Sequence, residues 1–191
     1  MDSMHHYLFT SKRLGFRNWR DEDILPMAEI NADPEVMAFF PALQSMQQTT
    51  DFVKRMQAQQ ASKGYCYFAV DRLDNNEFIG FIGLMDQSYE ADFTPCVDIG
   101  WRLRRSAWHQ GFAKEGAARC LEYAFTKLAL KRIYAVAPKV NLRSEHIMQV
   151  IGMHRLKAFA HPLLMEDDRL RQCILYGIDR DGSRTAKTEV P

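Results

Sequence analysis

The sequence predicts an α/β fold built on a mixed, largely antiparallel sheet. Three observations lead there. Strand patterns linked by short turns fill the middle of the chain, strands alternate with helical patterns after Leu103, and the 191 residues are 47% hydrophobic and 26% charged, the balance of an ordinary core. One compact domain is expected over residues 1–179, followed by a polar tail over 180–191.

Leu14 and Phe16 alternate with polar neighbours between Lys12 and Asn18, the period of a half-buried first strand. A helical region follows. Asp33 before Pro34 reads as a cap and a first helical residue, so a short second helix is expected from Pro34 to about Phe40, stopped by Pro41. Ser45 and Gln48 make a capping box, and Phe52, Val53, Met56 and Gln60 mark one face of a third helix ending before Gly64. Strands are expected at Tyr65–Val70, Phe78–Met85 and Val97–Leu103, the first two joined through Asp74, Asn75 and Asn76. Ala113, Ala117, Leu121, Ala124 and Leu128 then form the apolar stripe of a helix from Gly111 to about Leu128. A strand over Arg132–Ala137, a helix over Asn141–Ile151 and closing strands over Met153–Ala160 and Arg169–Ile178 complete the order. The result is about seven strands with helices on both faces.

Composition excludes several function classes. The formal charge is +1, from 25 Lys and Arg against 24 Asp and Glu, so no global field gathers nucleic acid or an anionic membrane. Cys66, Cys96, Cys120 and Cys173 show no CxxC pair and no neighbouring His at ligand spacing, which speaks against a metal site and for reduced core thiols. His5 and His6 read as a plain terminal pair. Met1–Thr10 lacks a signal-peptide pattern and no apolar run reaches membrane-span length, so the expected location is cytoplasmic, with no membrane partner.

The densest chemical signal is Trp108-His109-Gln110-Gly111-Phe112-Ala113, after a strand and at the start of a long helix. Successive backbone N–H groups converge at such a junction and the helix dipole adds partial positive charge, so an anion binds there without a lysine. Gly111 and Ala113 are small where backbone approaches a phosphate. By itself the motif also fits a simple turn. Asn141-Leu142-Arg143-Ser144 follows the next strand and opens another helix; alone, Asn141 reads as an N-cap. Together the two build a crevice at strand ends.

These motifs, with Ile151-Gly152-Met153, Lys12-Arg13-Leu14, Phe16-Arg17, Trp19 through Asp23, Ile79 through Leu84 and Asp98 through Leu103, resemble the GNAT family of N-acetyltransferases. The likeness spans roughly residues 11–178 and is nearest the RimJ/RimL-like branch, the ribosomal-protein alanine and serine acetyltransferases. It implies the GNAT fold, a twisted sheet splayed at its centre, and acetyl-CoA as cofactor without a metal. It implies that the pyrophosphate sits on the amides of His109, Gln110, Gly111, Phe112, Ala113 and Lys114. The pantetheine arm is implied to lie along Leu103, Arg104 and Arg105, with Asn141 bonding it near its far end. His109 stands where relatives often carry glycine, and either crowds the phosphate or supplies a donor.

The implied reaction is direct attack of a primary amine on the thioester through a tetrahedral intermediate. At pH 7 an α-amine of pKa about 7.7–8 is neutral roughly a tenth to a sixth of the time, far more often than a lysine, so a protein N-terminus needs less help from a base. A strand N–H near Leu103 or Arg104 is a candidate for the oxyanion, if a bulge frees it. Asp98, sharing a strand face with Gly100 and Arg102, is the candidate base, with Glu90 and Asp92 in reserve; a solvated carboxylate, or one paired with Arg102, is the plainer reading. Many relatives carry a tyrosine acid where this chain has Met148, so Ser144 is the candidate acid, or else a serine bonding helix backbone. Arg105 or Lys114 suits phosphate and Arg102 an acidic acceptor; the arginines otherwise mark a solvated edge. Trp19, Phe39, Phe40 and Tyr89 are acceptor-pocket or core aromatics, since family acceptor sites use the first helices and the loop before the fourth strand. A peptide N-terminus or a small-molecule amine is the expected partner, for a monomer or homodimer. A catalytically silent acyl-CoA-binding sensor is the alternative.

Overall fold

The computed structural model describes residues 6–181, so the predicted tail lies outside the described residues from 182 onward, as does His5. Eight strands and four α-helices are present among the described residues, in the order β1 (Phe9–Thr10), β2 (Leu14–Arg17), α1 (Ile24–Ala32), α2 (Met46–Lys63), β3 (Tyr67–Arg72), β4 (Phe78–Gln87), β5 (Cys96–Leu103), α3 (Phe112–Thr126), β6 (Arg132–Pro138), α4 (Leu142–Val150), β7 (His154–Ala160) and β8 (Gln172–Asp179). Residues up to Met85 with Ile99–Cys120 form one compact unit; Asp86–Asp98 with the residues from Leu121 on form another.

In the first unit β1, β2, β3 and β4 pair antiparallel in sequence order. β1 is the strand beyond the expected seven, two residues long, and it seats Phe9 on Phe16 with ring centroids 4.5 Å apart. Phe16, Phe68, Ile79, Ile82 and Leu84 form the core, and α3 lies so close that a Cβ at Gly116 would come within 2.3 Å of Ile82. A larger residue there would push the helix off the sheet. Arg17 bridges two buried carboxylates, Asp23 through both Nη atoms and Asp71 through Nε and Nη2. That bidentate pairing ties β2 to β3 and to the 3₁₀ turn Asp21–Asp23. The α2 capping box is complete, with Ser45 Oγ accepting from Gln48 N–H at 3.2 Å and Gln48 Oε1 from Ser45 N–H at 2.8 Å.

The expected helix from Pro34 to Phe40 is instead a run of turns. Asp33 ends α1 in extended conformation, and its carboxylate accepts from Glu35 N–H. Met37 N–H bonds Asp33 O at 3.0 Å and Phe40 N–H bonds Met37 O at 2.9 Å. Seven residues between an Asx turn and Pro41 are too few to repay helix nucleation.

In the second unit the strand order is β5, β6, β8, β7: Asp98 pairs parallel with Tyr134, and β8 lies antiparallel to β6 and β7. Ile133, Ala135 and Ala137 alternate inward along β6, and Ile174, Leu175 and Tyr176 fill β8. The mixed, mostly antiparallel α/β pattern is the one the sequence predicts.

Candidate active site

The α3 start is shaped by backbone. After the 3₁₀ turn Arg105–Ala107, Trp108 is extended, His109 has φ 59° and Gly111 φ 79°. Both left-handed residues curl the chain before the helix; glycine takes this at no steric cost, whereas His109 bears about 1 kcal/mol. The first helical bond here runs from Glu115 N–H to Gly111 O, and the N–H groups of His109 through Lys114 find no acceptor among the described residues. Unmade donors at a helix start are what a pyrophosphate satisfies. Lys114 is exposed and makes no ion pair among the described residues.

The loop is braced from the far end of the sequence. Glu115 accepts from Ser11 Oγ, Arg13 Nε and Arg13 N–H, the last across 102 residues. Burial opposes its charge, but donation from Ser11 and Arg13 outweighs that and holds the carboxyl below its ordinary range. The Arg13 guanidinium lies over the Phe112 ring at 4.5 Å, and Arg13 Nη2 is 3.5 Å from where a Cβ on Gly111 would sit. Arg13 thus puts a cation beside the open donors. No local signal marks it, because the association exists only after β2 packs on α3.

At the end of β5, Arg104 N–H bonds Ile79 O at 2.9 Å, so it is committed to that carbonyl. Leu103 O accepts from Trp108 Nε1 at 2.9 Å, which pins the strand end to the loop. Gly80, at φ 126°, allows the backbones to touch: a Cβ there would fall 2.1 Å from Arg102 O. Arg104 pairs with Glu77, and Arg105 with Glu35 and, at 3.6 Å, Asp33. Both are occupied by carboxylates, as Arg13 is by Glu115, while Lys114 makes no ion pair among the described residues. A cleft of about 380 Å³ is lined by Glu29, Ile30, Asp33, Val36, Arg104, Arg105 and Ser106. Arg102 is no solvated edge residue; it is buried against Asn31, Phe40 and Phe81.

In the second unit, Asn141 caps α4, its Oδ1 accepting from Ser144 N–H at 3.1 Å. Its Nδ2 finds no acceptor among the described residues, nor does the half-buried Ser144 hydroxyl bond any group there. The serine is therefore not spent on helix backbone. Met148 is 2% exposed, a core residue.

Asp98 is buried and accepts from Gln87 Nε2 at 3.1 Å. Its surroundings feel it. Burial, then the Asp98 charge, push the Tyr89 phenol well above its usual range, and the same causes raise Cys96 to about 12. Tyr89 stands against His161 and Phe93, which meets Phe159. Of the reserve bases, Asp92 is bound to Lys157 and held low by it, while Glu90 is exposed. Trp19 is a core residue donating to Tyr67 O; Phe39, Phe40 and Tyr89 are half-buried. Among the described residues no helix is long and apolar enough to cross a membrane, and no cluster of three or more His, Cys, Asp or Glu could hold a metal ion.

Open N–H donors at a helix start after a strand suit an anion, and comparison with known proteins gives the family. The family model for the acetyltransferase (GNAT) domain matches residues 13–154. The N-acetyltransferase YnaD of Bacillus subtilis is 31% identical over 147 residues, covering 76% of this chain and 82% of its own. The chain belongs to the GNAT family and is an acetyl-CoA-dependent N-acetyltransferase. Two solved structures share its fold. The ribosomal-protein-S5-alanine acetyltransferase of Vibrio fischeri has a TM-score of 0.72 at 15% identity, covering 91% of this chain and 96% of that one. The spermidine N-acetyltransferase of Vibrio cholerae, in complex with CoA and spermine, has a TM-score of 0.71 at 18% identity, covering 88% and 96%.

Proposed function

We propose that this chain, acting as one domain over residues 1–179, moves the acetyl group of acetyl-CoA directly to the α-amine of a peptide in the manner of the RimJ/RimL-like branch. The observation that carries cofactor binding is the set of unmet N–H groups from His109 through Lys114 on a left-handed turn. They would hold the pyrophosphate with Arg13 and Lys114 beside it, while Leu103, Arg104 and Arg105 flank the arm and Asn141 Nδ2 donates to it. Acetyl-CoA supplies the thioester carbonyl as electrophile. Asp98 takes the proton of the attacking amine through a water, and the unbonded Ser144 hydroxyl donates to the departing sulfur. An α-amine suits a carboxylate base, because it already spends about a tenth of its time neutral at pH 7.

Thiol release tests this. Purified protein with acetyl-CoA and a panel of peptides, polyamines and aminoglycosides is expected to liberate CoA fastest with peptides, and mass spectrometry to find the acetyl group on the terminal amine. Faster turnover of polyamines would replace the acceptor, and no CoA release above background with any amine would leave a silent acyl-CoA-binding domain. Asp98→Asn is expected to cut turnover by about 10²-fold or more, the scale of a lost general base.

A further inference from the structure

Arg102 is 9% exposed and forms no ion pair among the described residues, although burying a guanidinium without a counter-charge is costly. Its Nη1 donates to Asn31 Oδ1 at 2.5 Å, and its ring contacts are Phe40 at 4.0 Å and Phe81 at 5.4 Å. Nε is buried with no partner, and Nη2 donates to no group among the described residues. Those two nitrogens form one edge of the guanidinium, the edge that grips a carboxylate with two parallel bonds. Burial lowers the pKa to about 10, which still leaves the group charged at neutral pH.

The surroundings belong to an acceptor site. Asn31 lies in α1 and Phe40 in the turns that follow, the segment that the family resemblance assigns to the acceptor. Arg102 is also next in sequence to Leu103, where the cofactor arm is proposed to begin. Phe40 is half-buried and sits on turns rather than a helix. We propose that the free edge of Arg102 binds a carboxylate carried by the acceptor, so that the preferred substrate is an amine bearing an acidic group. A polyamine has no carboxylate and would meet an uncompensated cation. This rests on the acetyl-transfer reading above.

The test offers each amine as a free carboxylate and as its isosteric carboxamide: amino acids of increasing length, and short peptides with Asp or Asn after the terminal residue. For at least one pair the wild type is expected to favour the carboxylate about tenfold or more in kcat/KM, chiefly through KM. Arg102→Lys and Arg102→Gln are expected to lose that preference, the KM of the carboxylate rising to that of its carboxamide. Equal turnover of both members of every pair by the wild type overturns the inference and leaves acetyl transfer standing; this holds even if the variants fail to fold. A preference that survives in Arg102→Gln also overturns it. Absence of CoA release with any amine removes the acetyl-transfer reading and this inference together.

Discussion

The helix starts of α3 and α4, to which the proposed function assigns the chemistry, differ in where their donors go. At α4 the Asn141 side chain caps Ser144 N–H, so that turn is satisfied from within. At α3, where His109 and Gly111 are left-handed, the amides of His109 through Lys114 find no acceptor among the described residues. A capped start stabilises the fold; an uncapped one spends stability to keep an anion site ready. What α4 offers a ligand is the remainder of its polar atoms, Asn141 Nδ2 and Ser144 Oγ.

The contrast breaks most sharply at Gly111. Gly111→Val places a branched side chain at φ 79°, and acetyl-CoA affinity measured by calorimetry is expected to fall roughly thirtyfold or more, from strain and lost amide contacts. An unchanged Kd would remove the loop from the cofactor site. At α4, Ser144→Ala is expected to lower turnover about tenfold or more with little change in cofactor affinity. Unchanged turnover takes Ser144 out of the mechanism.

Asn141 separates capping from binding within one residue. Asn141→Asp keeps the acceptor for Ser144 N–H and removes the Nδ2 donor, so acetyl-CoA should bind several-fold more weakly at unchanged melting temperature. Asn141→Ala should also lose about 1 kcal/mol of stability. Equal affinity in Asn141→Asp would confine the residue to its cap.

The α3 brace gives a pH signature. Glu115 is depressed in the folded state, so its contribution is fully present above its unfolded pKa and is lost as pH falls through the lower folded value. Below about pH 4.3, the ordinary glutamate range, the wild-type melting temperature should fall more steeply than that of Glu115→Gln; parallel slopes would show that the brace is not titrating. The smallest effect belongs to His109→Gly. Relief of its left-handed strain should be nearly offset by glycine's greater chain entropy, leaving stability within about 1 kcal/mol. A loss beyond that would assign the imidazole a contact of its own.

The α2 capping box, the Asp74–Asn76 turn and the strand-to-helix order were legible because each is written in neighbouring residues. The Pro34–Phe40 helix was not, since Asp33 looks the same before a helix as at the end of one, and only the α1 register decides which. Asn141 was legible as a cap for the same local reason. Whether the Ser144 hydroxyl bonded backbone was open from sequence and needed atomic positions.

The sequence by itself determined most of the elements, their order, the glycine at the α3 start and the family, because periodicity, caps and motifs are short-range. Tertiary structure alone decided which cations stand near the α3 start. It set Arg13 beside Gly111, engaged Arg104 and Arg105 with Glu77, Glu35 and Asp33, and buried Arg102 with one edge of its guanidinium unmet. A charge's role depends on what lies within a few ångströms of it, and for these residues those neighbours come from distant parts of the chain.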